Sequence, residues 1–293
     1  MGALAKQVAV ITGGASGLGA ALGSLFGREQ MAVVVIDIDG PKAEEAAATL
    51  RASGVDALAI EANVAEPSSL DAAAAATEAR FGQCDILCAN VSVVQLKSLD
   101  DTSLDEWRWI LDVNVLGTIA TVNAFLPLMR RTPDSRATEG HAGRITRRIM
   151  ITSSVAALRR SSHQGAYSAS KAALTSYGDT LRNELRDEGI GVSILFPHGM
   201  QTNHLQSSTS VRPPHLGPSV DKRALDAVIH EMAAAVTETV TAEEAVRDLV
   251  PQLLDDAPYI ITHGLTARPA WRERCAEVDA AFDRMESLRQ YPR

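Results

Sequence analysis

The sequence predicts an α/β protein built on a doubly wound parallel sheet with helices on both faces. Three observations carry that expectation. Close to the N-terminus a short apolar strand runs into a glycine-rich turn and then a helical stretch. Two further strand-then-helix units follow in series, the pattern of parallel strands joined by crossover helices. Farther along, another apolar strand precedes a helix that carries Tyr167 and Lys171 four residues apart, on one face and one turn from each other.

Residues 7–12 (QVAVIT) read as the first strand, and Thr12-Gly-Gly-Ala-Ser-Gly-Leu-Gly19 as the turn, with a helix to about residue 28. Glycines let backbone approach a pyrophosphate, and the helix N-terminus offers free N–H groups and a partial positive charge. Residues 31–38 form the second strand. It ends at Asp37, 18 residues after Gly19, where an acidic side chain accepts hydrogen bonds from an adenosine ribose. Helices are expected over 41–53 and 67–82, and strands over 55–62, ending at Asn63-Val64, and 85–91, carrying Asn90. A long helix over 104–129 carries Asn114, and the polar stretch 131–147 reads as a mobile surface loop. The fifth strand covers 148–153, the Tyr167 helix 165–188 and the sixth strand 191–196, which ends at Pro197. Residues 203–223 form a Pro/Ser-rich loop expected to close over a substrate. An amphipathic helix follows, with Leu225, Ile229, Met232 and Val236 on one face. Thr241 with Glu244 reads as a capping box, 258–262 as a last strand and 270–288 as a charged C-terminal helix.

Composition narrows the function classes. The chain has 293 residues, is 46% hydrophobic and has net charge −8, which suits one large domain with a full core. An acidic surface argues against nucleic acid and anionic membranes as partners. No apolar run of spanning length is expected, so no membrane is either. Cys84, Cys88 and Cys275 are odd in number and show no pairing with histidine, so no metal site is expected. Two lie in a strand-like run as reduced core residues. With no signal-type start, these features point to the cytoplasm.

A phenol beside an ammonium is a candidate general acid/base, because a nearby cation favours the phenolate. Ser154, at the end of the fifth strand, places a hydroxyl where it can hold the same substrate oxygen.

Taken in order, these residues resemble the short-chain dehydrogenase/reductase family, single-domain Rossmann enzymes with about seven strands. The resemblance rests on the turn ending at Gly19, Asn63-Val64, Asn90, Asn114, Ser154, Tyr167-x-x-x-Lys171 and Pro197 through Thr202. It implies an NAD-dependent oxidoreductase acting on a secondary alcohol or ketone, active as a homodimer or homotetramer. Tyr167 would be the acid/base. Lys171 would lower its pKa and hold the nicotinamide ribose, Ser154 would hold the substrate oxygen, and Asn114 would position a water for proton exit. Gly13, Ser16, Gly17, Leu18 and Gly19 would cradle the pyrophosphate. Asp37 and Ile38 would meet the adenosine ribose, Asn63 and Val64 the adenine, with Asn90 close to them. Pro197, Met200 and Thr202 would lie at the nicotinamide end. Val94, Leu158, His198 and Leu205 are candidates for the substrate pocket.

Two family glycines are replaced here, by Ser92 and His198. The side chain of His198 would either line the pocket or turn outwards. The whole of 1–293 is expected to form one domain, with a substrate segment over 203–240 and a helical extension over 264–293. In the tail, Arg212-Pro213, His215-Leu-Gly217, 259–263 (YIITH) and the charged last helix resemble the branch containing bacterial lignin-related Cα-dehydrogenases. That branch implies a bulky apolar or aromatic substrate. An NADPH-dependent ketoreductase on the same fold and a non-enzymatic dinucleotide sensor are the alternatives. Asp37 with neutral Ser16 speaks against the first, and the intact Asn-Ser-Tyr-Lys set against the second.

Overall fold

The computed structural model describes residues 4–133, 147–221, 225–226 and 239–289. Seven strands form one parallel sheet in the order β3-β2-β1-β4-β5-β6-β7. They are β1 (Val8–Thr12), β2 (Ala32–Asp37), β3 (Ala57–Glu61), β4 (Ile86–Ala89), β5 (Arg147–Thr152), β6 (Ile190–Phe196) and β7 (Tyr259–Ile261). The chain winds outwards in one direction from β1 to β3 and in the other from β4 to β7. The switch point lies between β1 and β4, where Val10 pairs with Leu87, and a crevice opens beyond the strand ends.

The inner strands β1, β2, β4, β5 and β6 are buried on both faces, so their side chains alternate between two cores, while β3 and β7 form the more exposed edges. Ile11, Val33, Val35 and Met150 enter one, with α1 (Gly17–Arg28) and α2 (Gly40–Ala52) over them. Val10, Val34, Ile36, Ile149 and Ile151 enter the other. That core is covered by α3 (Pro67–Phe81), α5 (Gly117–Arg131) and α6 (Gly165–Leu185). Cys84 and Cys88 are fully buried as expected, and burial pushes both thiols up.

The expected long helix over 104–129 is in fact composite. α4 (Leu104–Leu111) starts on a capping box in which Ser103 and Glu106 satisfy each other's backbone N–H groups. Asp112–Leu116 widens into a single π-turn around Asn114 before α5 resumes. Such turns insert a residue and re-aim a side chain. The composite Leu104–Arg131 is long and apolar enough, by length and composition, to span a bilayer, with mean hydropathy 1.5 over its best window. That corrects the expectation that no such run exists. In the fold its Val122, Phe125 and Leu128 pack under the sheet.

Other boundaries shift. The loop 203–223 contains α7 (His204–Ser210) and a one-turn 3-10 helix, Pro214–Leu216. The amphipathic helix expected after it lies mostly outside the described residues, as does nearly all of 131–147. The capping box at Thr241 and Glu244 starts α8 (Ala242–Ala245), and α9 (Leu249–Leu254) closes the first core. The last helix, α10 (Ala267–Arg289), starts three residues earlier than expected.

Candidate active site

The crevice at the switch point is a cavity of about 910 Å³. Its adenosine end is built by backbone. Gly13 and Gly17 have positive φ, 65° and 51°, which side chains rarely adopt. A Cβ on Gly19 would lie 1.9 Å from Gly13 O, so the helix can seat against the turn only with glycine there. Ser16 sits at the N-cap of α1 in extended conformation, yet its side chain makes no capping bond, and the first turn holds no acidic residue. The N–H groups of α1 are therefore open to an anion, as a pyrophosphate cradle requires.

Asp37 lies at the end of β2. Its Oδ2 accepts the Ala15 N–H and its Oδ1 the Asp39 N–H, each at 3.2 Å. That fixes the carboxylate at the cleft wall beside Ile38, which is half exposed. Asn63 and Val64 line the same end. The Asn63 side chain is turned into its own loop, accepting from Ala65 N and donating to Glu66. Asn90 ties the strands together. Its N–H donates to Thr12 Oγ1, its Nδ2 to Thr12 O, and its Oδ1 accepts from Thr152 Oγ1.

At the other end β5 and α6 converge. Lys171 is fully buried, and its Nζ donates to Thr152 O at 2.9 Å. Burial lowers its pKa to about 7. Nζ lies 5.6 Å from the centroid of the Tyr167 ring. Burial raises Tyr167; the hydroxyls of Ser154 and Ser92, with Arg159, work the other way without overcoming it. The expected lowering of the phenol by Lys171 is therefore corrected. Here the lysine points at a carbonyl and is itself discharged by desolvation.

The sign of this burial can be tested. In the unfolded chain Lys171 stays protonated up to its ordinary value of 10.5; in the fold it loses its proton at about 7. Between these values the unfolded chain holds more protons, so this residue makes stability rise with pH. His204 titrates near 4, below that window. Tyr167, Cys84 and Cys88, all raised by burial, ionise there only in the unfolded chain and pull stability down as pH rises. The Lys171 effect is therefore read as the difference between wild type and variant. Lys171→Met is expected to remove this upward contribution. Melting temperatures of both proteins from pH 7 to about 10 check it, and an unchanged slope would refute the burial.

Asn114 is fully buried and lies behind the cleft wall. Its amide accepts from Val93 N at 2.7 Å and donates to Val93 O and Ser170 Oγ, each at 2.9 Å. Ser170 in turn donates to Tyr167 O. The side chain thus clamps the loop after β4 onto the Tyr167 turn of α6.

Pro197, Met200 and Thr202 line the cleft, and Gly17 faces Thr202 across it. His198 also lines it, held in place by the C-terminal segment. Its ring packs edge-on to His263 at 5.7 Å and lies against Gly264, where φ is 84° and a Cβ would come within 2.5 Å of the ring. Val94 and Leu205 form an apolar wall with Leu96 beside Tyr167. Leu158 is not among the cleft-lining residues. It packs against Val155, Ala157, Phe196 and Ala267.

Two features escaped the sequence reading. His204 sits edge-on to Tyr167 at 6.1 Å, with its Nε2 at 3.1 Å from both Ser92 Oγ and Ser92 O. Burial, with Lys171 nearby, lowers its pKa to about 4, so it is neutral and fixes the Ser92 hydroxyl beside the phenol. The replacement of glycine by Ser92 was visible, but its partner lies 112 residues away.

The second feature is Arg212, which pins the segment covering the cleft. It donates to Gln95 Oε1, Gly217 O and Leu216 O, pairs with buried Glu106, and lies 5.1 Å from the Trp109 ring. Burial alone would raise Glu106; Lys97, the Ser103 N–H and Arg212 outweigh it and hold the carboxyl below its ordinary value. The segment over 203–221 is thus pinned at Arg212 beside the apolar wall of Val94, Leu96 and Leu205. Arg212→Met should cost about 3 kcal/mol by leaving a buried charge short of one partner. The urea midpoint checks this, together with faster proteolytic nicking in 203–221. An unchanged midpoint would mean that Lys97 alone satisfies Glu106.

A parallel sheet with a switch-point crevice, an uncapped glycine turn and a Ser-Tyr-Lys group at one end defines a dinucleotide-binding oxidoreductase. Residues 7–212 match the family model for short chain dehydrogenase. The chain belongs to that family. It is 32% identical over 260 residues to the C alpha-dehydrogenase of Sphingobium sp. (strain NBRC 103272 / SYK-6), covering 88% of this chain and 80% of that one. It is 30% identical over 211 residues to 1-deoxy-11-beta-hydroxypentalenate dehydrogenase of Streptomyces exfoliatus, covering 71% and 73%. Its fold matches a short chain dehydrogenase/reductase from Burkholderia phymatum, solved in complex with NAD. The TM-score is 0.82 and the identity 28%, covering 96% of this chain and 97% of that one.

Proposed function

We propose that this protein is an NAD-dependent dehydrogenase of a bulky, apolar or aromatic secondary alcohol, or of the corresponding ketone in reverse. The observation that carries the proposal is the continuity of one cleft. It runs from the α1 N-terminus and Asp37 to Tyr167, Ser154 and Lys171, and from there to the apolar wall of Val94, Leu96 and Leu205.

The residues divide the work. Bound NAD would supply the hydride acceptor, held by the α1 N–H groups, Asp37 and the Pro197–Thr202 turn. Ser154 and Ser92 orient the substrate hydroxyl. Tyr167, as phenolate, takes the hydroxyl proton while the carbon-bound hydrogen leaves as hydride, so that the alcohol becomes a ketone. Lys171, its charge largely lost to burial, is held on Thr152 O beside the phenol and keeps the ring in place. A carboxylate at the ribose, with no cation at Ser16 or Ile38, supports NAD, as does the likeness to an NAD complex. The apolar wall and the likeness to a C alpha-dehydrogenase support a bulky substrate. Purified protein with NAD+ or NADP+ and a panel of aryl and alkyl secondary alcohols, followed by nicotinamide absorbance, tests the proposal. Turnover with NADP+ alone, or none with any alcohol or ketone, would overturn it.

A further inference from the structure

α10 is 23 residues long, about 34 Å at 1.5 Å per residue, and of its residues only Ala267 is buried. It is held to the body at its first half, by Arg160 to Glu277 and by Arg274 Nη1 to Ala157 O. Beyond that it carries a stripe that nothing among the described residues covers. Trp271, Cys275, Val278, Phe282 and Met285 recur at alternating spacings of four and three, the seam of a two-helix coiled coil. Trp271, Val278, Phe282 and Met285 are all exposed, and so are flanking Leu265 and Leu288, at 72% and 69%. An isolated exposed apolar residue is ordinary, whereas a continuous stripe marks a docking face.

The charges on the helix say what docks there. From 267 to 289 it holds five arginines and five carboxylates. A helix that lies on an anionic lipid surface is basic on its polar face, so this balance points to another protein helix. We propose that the stripe pairs antiparallel with the same helix of a second copy of this chain. One register pairs the stripe throughout. It sets Trp271 against Phe282 of the second copy, Cys275 against Val278, and Met285 against the aliphatic stem of Arg268. Arg272 then faces Asp279 on both sides of the two-fold axis, as the flanking positions of such a pair require. Moving the register by one heptad would bring Asp279 against its own copy.

Disulfide cross-linking in the intact protein reads the register. Val278→Cys with Cys275→Ser, mixed with wild type, places a thiol opposite Cys275 of the second copy in each mixed pair and leaves no two thiols one turn apart in the same chain. On mild oxidation the mixture is expected to show a band at twice the 31.2 kDa chain mass in a non-reducing gel, and each protein alone to run at the chain mass. Met285→Cys, which faces no cysteine in this register, is expected to behave as wild type. Phe282→Asp is expected to lower the solution mass in sedimentation equilibrium by half. Cross-linking of wild type through Cys275 alone would show a parallel pair and overturn the proposal. So would a mixture that cross-links no more than wild type alone, or an unchanged mass for Phe282→Asp. None of these readouts depends on turnover, so failure here is separable from failure of the proposed activity.

Discussion

Tyr167→Phe is expected to fold as wild type, to retain NAD(H) binding and to turn over about 10²–10⁴-fold more slowly, the usual contribution of a positioned acid/base. The fold is preserved because what holds this ring is apolar. It packs with Val94, Leu96 and Leu205 and edge-on to His204, and phenylalanine keeps those contacts. The loss is confined to one oxygen, which the hydroxyls of Ser154 and Ser92 flank. Because burial holds the phenol above its ordinary value, wild-type oxidation should gain rate as pH rises. The phenylalanine variant should lose that dependence along with the rate. Steady-state kcat over pH, beside a fluorescence titration with NADH, checks both. Turnover within a factor of a few of wild type, at intact NADH affinity, would remove Tyr167 from the chemistry.

What was legible in the sequence was whatever lies close along the chain. β1, the glycine turn and α1 form one contiguous stretch, and the turn geometry depends on residue type alone. Tyr167 and Lys171 are brought together by a helix, whose period fixes their spacing. Asp37 follows from the length of a βα unit. What escaped depends on distant chain segments. The Ser92–His204 contact and the buried Arg212–Glu106 pair each span more than a hundred residues, and no local pattern marks them. The π-turn at Asn114 was hidden because one inserted residue hardly disturbs a helical hydrophobic period. Leu158 was misplaced because the reading could not foresee that the start of α10 packs against the 3-10 turn (Val155–Ala157) after β5. The direction of the Tyr167 shift was misjudged for a related reason: a sequence shows the neighbouring charge but not the burial that discharges it.

Cofactor choice is the second large expected effect. The unmodified protein should prefer NAD over NADP by about 10²–10³ in kcat/KM. Two like charges ~4 Å apart repel by roughly 1 kcal/mol in water and about 4 kcal/mol at an effective dielectric of 20, and ~1.4 kcal/mol is tenfold. The half-buried Asp37 falls between those limits, and a 2′-phosphate carries more than one charge. The geometry also dictates the variant. Asp37 holds the Ala15 and Asp39 N–H groups, so alanine there would loosen the glycine turn as well as remove the charge. Asp37→Asn keeps an acceptor for that turn and deletes the repulsion. Ile38→Arg, on an exposed side chain at the cleft edge, then adds a planar cation for the phosphate. The double variant should reverse the preference, and Asp37→Asn alone should bring the two cofactors close to parity. Measuring kcat/KM with both cofactors for wild type and both variants decides the matter. If wild type already used NADP as well as NAD, Asp37 would not face the ribose, and the pairing of β2 beside the cleft would have to serve the loop alone.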